Sequence, residues 1–140
     1  MIQLSKSIVG TREADAVSAI IKDVGYLGMG SVVQEFESEI ENYLEAEPES
    51  CCCVNTGTSA IHLAIEAIAN QGDQVLVPSF TYVATYQAIK AAGCVPVSCD
   101  VDMDTWLLDL KDVEKRITSK SKAIVYVHYA SNPGNLDELY

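Results

Sequence analysis

Apolar and polar positions recur along this chain with two different periods, and the change between them falls near residue 50. Before it the period is helical. Residues 11–24 set Ala14, Val17, Ile20 and Ile21 on one side, with Gly25 just past the end. Residues 31–44 repeat the pattern with Val32, Phe36, Ile40 and Tyr43, and Ser31 with Gln34 has capping-box spacing. A glycine-rich loop, Gly25-Tyr26-Leu27-Gly28-Met29-Gly30, separates the two predicted helices. From residue 51 short apolar runs alternate with helical ones. Residues 51–54, 74–77, 95–101 and 123–128 read as strands, and residues 59–69, 82–92 and 109–117 as helices. Pro78 closes the second strand, and Gly93 is the stop of the second of these helices. The helix at 59–69 is apolar nearly all round, so it is expected to be buried.

Strands that alternate with helices predict an α/β fold with three layers, a mainly parallel sheet covered by helices on both faces. The predicted division is a helical segment with its glycine loop over 1–50 and an α/β region over 51–140. Ligands on such sheets bind beyond the carboxyl ends of the strands. Gly57, the run Pro78-Ser79-Phe80-Thr81-Tyr82, Asp100 and His128 all fall there. The sharpest local feature is Val54-Asn55-Thr56-Gly57-Thr58-Ser59, where an apolar run stops at a Gly-Thr-Ser turn and a helix begins. A helix N-terminus offers free N–H groups and the positive end of its dipole to an anion. Residues 23–89 contain Asp23 but no Lys or Arg, so an anion here relies on backbone and hydroxyl donors or on charge from elsewhere.

Composition narrows the partners. The 140 residues suit one domain, and the net charge of −11 argues against nucleic acid or an anionic membrane surface. Glu35, Glu37, Glu39, Glu41, Glu45, Glu47 and Glu49 concentrate the acid, read as a solvated helix face and loop. Residues 1–6 show no signal-peptide core, and no apolar run approaches the roughly 20 residues of a membrane span, so a cytoplasmic protein is expected. Five cysteines without a C-x-x-C pair (Cys51, Cys52, Cys53, Cys94, Cys99) read as small buried apolar side chains.

Several patterns fall short of a chemistry. Asp100, Asp102 and Asp104 have calcium-loop spacing, but Thr105 stands where glycine is needed and Lys111 where glutamate is needed. A polar turn leading to Trp106 accounts for them, and no metal is expected. The glycines at 25, 28 and 30 match no dinucleotide fingerprint, and there is no P-loop. Of the two histidines, His62 reads as a packed helix residue, while His128 stands open between site and structure. A complete small nucleotide-binding module is weak on these grounds.

Read together, the segments resemble the DegT/DnrJ/EryC1/StrS family of pyridoxal-phosphate-dependent sugar aminotransferases, which have the type I fold. Gly25 to Gly30 with Val33, Phe36 and Glu37 resembles that family's opening loop and second helix. Val54 to Ala64 resembles its phosphate turn, and Gly72-Asp73-Gln74-Val75-Leu76-Val77-Pro78-Ser79-Phe80-Thr81-Tyr82 its next strand and aromatic position. Gly93, Pro96-Val97, Asp100-Val101-Asp102 and Val127-His128-Tyr129-Ala130 with Pro133 and Asp137 follow in order. Two departures stand out: Ser131 where the family usually has glycine, and Gly134-Asn135 where Cys-Asp or Ala-Asp is common.

The resemblance implies the N-terminal part of the large domain of such an enzyme, and pyridoxal 5'-phosphate as cofactor. It implies that Gly57, Thr58 and Ser59 bind the cofactor phosphate and that Tyr82 lies over the pyridine face. Tyr26, Leu27, Gly28 and His128 are implied near substrate or subunit interface. It further implies a nucleotide-linked keto-sugar and an amino donor as substrates, a role in amino-sugar or polysaccharide biosynthesis, and a homodimer. Family members are more than twice as long. None of Lys6, Lys22, Lys90, Lys111, Lys115, Lys120 and Lys122 resembles the Schiff-base segment, so no catalytic residue is assigned and the chain alone is expected to be inactive. A dehydratase of the same family, or a truncated protein that only assembles or binds a partner, are the alternatives.

Overall fold

A computed structural model describes residues 7–140; the expectations for residues 1–6 lie outside the described residues. The chain forms two compact units, one closing at Cys53 and the other spanning Val54–Tyr140.

In the first unit, helix α1 (Thr11–Ala19) runs into a single π turn (Ile20–Val24) and stops at Gly25, whose φ of 68° suits glycine. The Gly10 N–H donates to the Glu13 carboxylate at 2.6 Å, which secures the helix start. The stripe read as inward-facing is not a core face: Val17 and Ile21 are both more than half exposed, and no α1 residue is buried. Helix α2 (Ser31–Tyr43) is capped by Gly30, so Ser31 already lies inside the helix and the expected capping box does not form. Val32, Phe36 and Tyr43 are exposed, while Ile40 is half-buried.

The side chain that α2 does bury is Glu41. Its carboxylate accepts the N–H of Cys51 at 2.9 Å, and the Glu37 carboxylate accepts the N–H of Cys53 at 2.6 Å. Two predictions are corrected here. Residues 51–54 are not a strand, because two of their N–H groups go to carboxylates instead of a ladder. The acidic run is likewise not solvated throughout, because Glu37 and Glu41 are spent on backbone. In the glycine loop the Tyr26 ring lies so close to Gly30 that an added Cβ would meet Tyr26 Cδ1 at 2.6 Å.

The second unit is the predicted α/β fold. Helix α3 (Gly57–Ile68) is followed by β1 (Gln74–Pro78), α4 (Val83–Ala91), β2 (Val95–Cys99), α5 (Leu110–Arg116) and β3 (Ser121–Ile124). The sheet order is β2-β1-β3, and both pairings are parallel. β1 is covered on both faces. Val75 and Val77 pack with Ile65 of α3 and Ile89 of α4, while Leu76 packs with Val113 of α5 and with Leu108 in the loop before that helix. Alternate residues of a strand face opposite ways, which is why one apolar run serves both layers.

Three predicted elements change. β2 ends at Cys99, and Val101 instead pairs antiparallel with Leu108. β3 stops at Ile124; Val125 still donates to Leu76 O at 2.8 Å before the backbone leaves the sheet. Of α3 only Ile65 is buried, and Leu63 and Ile68 are about half exposed, so the all-round burial expected of it is not found. Among the cysteines, Cys94 and Cys99 are buried, which pushes their thiols up; Cys51 and Cys53 are half-buried and Cys52 is exposed. The small-core reading holds for the first two only.

Candidate functional site

The turn at the start of α3 is built by three side chains. Thr56 is the N-cap, and its Oγ1 accepts the Ser59 N–H at 3.1 Å. The Ser59 hydroxyl donates to Asn55 Oδ1 at 2.9 Å and lies 3.0 Å from Thr56 Oγ1. Ser59 is therefore engaged within the turn. The N–H groups of Gly57 and Thr58 donate to no acceptor among the described residues. Around Gly57 there is open space: an added Cβ would meet nothing within 4 Å. These are the features an anion needs, two free donors and room at a helix N-terminus.

A cleft of about 740 Å³ lies beyond the carboxyl ends of β1 and β3. It brings Tyr82 and His128 together, with Phe80, Tyr126 and Tyr129, and α3 contributes Ile61, four residues on from Gly57. Gly57, Thr58 and Ser59 themselves do not line it. Tyr82 caps α4 with extended backbone and is largely exposed. The exposed His128 ring lies edge-on to Tyr126, centroids 5.6 Å apart. His62 packs on α3, its Nε2 3.4 Å from Glu66 Oε1 but without a hydrogen bond and closed off from solvent. Tyr26, Leu27 and Gly28 belong to the first unit. There the Tyr26 ring sits over Gly28 as well as Gly30.

The turn before Trp106 is polar, as its sequence suggests. The Asp102 carboxylate accepts the N–H groups of Thr105 (2.8 Å) and Asp104 (3.1 Å) and the Thr105 hydroxyl (2.9 Å), which hold it below the usual aspartate range. After β3 the chain passes through Ala130 and Ser131 at φ 51° and 64°. Ser131, the first departure from the family pattern, thus occupies a left-handed position that favours glycine. Gly134, the second, has φ 65°, and a Cβ there would sit 2.5 Å from both Leu107 Cδ1 and Tyr126 Oη. In this chain alanine cannot occupy that place without movement of both.

What the sequence reading missed is the convergence of Phe80, Trp106 and Tyr129, and the part played by Asn55 and Thr56. The available signal was that each loop following a strand carries one such ring.

The sequence profile of the DegT/DnrJ/EryC1/StrS aminotransferase family matches residues 8–140. The chain belongs to that family. Within it, the chain is 36% identical over 137 residues to dTDP-4-dehydro-2,3,6-trideoxy-D-glucose 4-aminotransferase of Saccharopolyspora spinosa, covering 97% of this chain and 35% of that protein. Among solved structures of similar proteins, the aminotransferase TlmJ from Streptoalloteichus hindustanus superposes with a TM-score of 0.88 at 31% identity, over 99% of this chain and 38% of that one. GDP-4-keto-6-deoxy-D-mannose-3-dehydratase of Escherichia coli, with bound hydrated PLP, superposes at 0.84 with 25% identity, over 97% of this chain and 36% of that one. The chain spans about a third of the length of these relatives, and it matches the N-terminal portion of the family's curated members. Among the described residues no helix is long and apolar enough to cross a membrane.

Proposed function

We propose that this chain supplies the phosphate turn and an aromatic wall of the pyridoxal-phosphate site of an aminotransferase acting on a nucleotide-linked keto-sugar. The observation that carries the reading is the start of α3, a 12-residue helix, where the N–H groups of Gly57 and Thr58 have no acceptor among the described residues and the space around Gly57 is open. Gly57 and Thr58 hold the phosphate by N–H and hydroxyl, and Ser59 keeps the turn in shape through Asn55 and Thr56. Tyr82 offers its ring to the flat face of the cofactor, as aromatic stacking favours, and His128 stands at the substrate side of the same cleft. When bound, the cofactor supplies an electron-withdrawing pyridine ring.

The assembly proposed is a cytoplasmic homodimer, with residues 51–140 as the first part of the cofactor-binding domain and residues 1–50, including Tyr26, Leu27 and Gly28, toward substrate or interface. The 140-residue chain alone binds without transaminating, because none of its lysines has the family's Schiff-base context. Similarity to the Escherichia coli dehydratase supports a second reading, a dehydratase built on the same cradle. The exposed apolar faces of α1 and α2 support a third, a protein that assembles without catalysis.

Equilibrium dialysis tests the cofactor reading. Pyridoxal 5'-phosphate binds more tightly than pyridoxal, and Thr58→Val weakens only the phosphorylated form. Equal binding of the two forms overturns the reading. Borohydride reduction followed by digestion leaves no specific lysine adduct; an adduct together with amine transfer to a keto-sugar would overturn the proposed inactivity.

A further inference from the structure

Three rings meet at the carboxyl edge of the sheet, one from the loop after each strand. Phe80 follows β1, Trp106 follows β2 and Tyr129 follows β3. Phe80 lies 5.0 Å from Trp106 and 4.9 Å from Tyr129, centroid to centroid, and Trp106 lies 6.4 Å from Tyr129. Phe80 and Tyr129 line the cleft; Trp106, 44% exposed, does not, but its ring lies against theirs from outside the lining. Its backbone is unusual: φ is 61°, a conformation that bulky residues rarely adopt. The Trp106 N–H donates to Asp102 O at 2.8 Å, and the Asp102 carboxylate ties down the turn in between. The turn is built to present the indole. Left-handed backbone also follows Tyr129, at Ala130 and Ser131, so the loop on the other side of the cluster has a conformation to relax into.

We propose that Trp106 is a positioning residue for the cleft. Edge and tilted contacts with the indole fix the rings of Phe80 and Tyr129, so the apolar wall exists before a planar ligand enters and less ordering is left for binding. Trp106 acts through those two rings and touches no ligand itself. The identity of the ligand rests on the cofactor reading above; the positioning role does not.

The experiment uses the 140-residue chain with Trp106→Leu and Trp106→Phe. Hydrogen exchange is followed at Ser131 and Asn132, whose amides bond to His128 O and Tyr129 O, and at Val77 in the core. Equilibrium dialysis measures pyridoxal 5'-phosphate. Trp106→Leu speeds exchange at Ser131 and Asn132 and weakens the cofactor about three- to tenfold, in the lower part of the range of coupling between packed neighbours. Exchange at Val77 stays unchanged, and Trp106→Phe restores both properties. Unchanged exchange at Ser131 in the leucine variant overturns the proposal. So does an equal rise at Val77, which marks a general structural role, or a failure of phenylalanine to rescue. If the unaltered chain binds no cofactor, the cofactor reading falls and the exchange results alone decide the role of Trp106.

Discussion

Val75, Leu76, Val77 and Ile89 of the second unit are sealed from water, whereas the buried side chain of the first unit, among the described residues, is a carboxylate. Yet the helices of the first unit carry apolar stripes as regular as any in the second. The difference is what each stripe can meet. β1 is flanked by two parallel neighbours and covered on both faces, so its Val75, Leu76 and Val77 side chains are fully buried, a gain of about 1.5–3 kcal/mol apiece. Val17, Ile21 and Phe36 remain more than half exposed, and their pattern stabilises their own unit little. An amphipathic stripe states a requirement for a partner; only packing shows whether the requirement is met.

The largest effect should come from Ile89→Ala, which costs the second unit about 2–5 kcal/mol in urea unfolding. Ile21→Ala should change the first unit by less than about 0.5 kcal/mol. Similar losses for the two would break the contrast. Glu41→Ala comes next, at about 1–3 kcal/mol for an unpaired backbone donor and a lost charged hydrogen bond, read as faster amide exchange at Cys51. Glu41→Gln, which keeps an acceptor, should cost less. Within the second unit, Ser131→Gly should raise the urea midpoint by relieving left-handed backbone, a gain of about 0.5–1 kcal/mol. The smallest effect is one of pH. Asp102, held below the usual aspartate range first by the Thr105 N–H, is charged in the folded chain at a pH where the unfolded chain has begun to protonate. Its contribution is therefore complete above the unfolded value and disappears as pH falls through the lower folded one. Trp106 emission should shift only in that acidic range, and Asp102→Asn should remove the transition.

Much of the second unit was legible because its signals are local. Gly93 follows α4 at positive φ where the sequence places a helix stop, as Gly25 does in the first unit, and the order of strands and helices led directly to a parallel sheet. Residues 51–54 misled because an apolar run implies a strand only when a ladder receives its N–H groups, and here carboxylates received two of them. The same physics hid Glu37 and Glu41 inside a run that composition alone marks as solvated. In the candidate site, the turn at Gly57 was readable from residue type, whereas the ring cluster was not. Phe80, Trp106 and Tyr129 are far apart in sequence, and only the parallel sheet sets their loops side by side.

The two carboxylates of α2 have a consequence for the life of the chain before it is complete. Cys51 and Cys53 are alternate residues of an apolar run, and in an extended chain their N–H groups would share one edge, the edge through which such a segment recruits another strand. Glu41 and Glu37 lie ten and sixteen residues upstream, near enough to reach that edge without waiting for any distant part of the sequence. A cysteine-rich segment emerging during synthesis therefore meets its blocking groups already made, and a neighbouring chain finds the edge occupied.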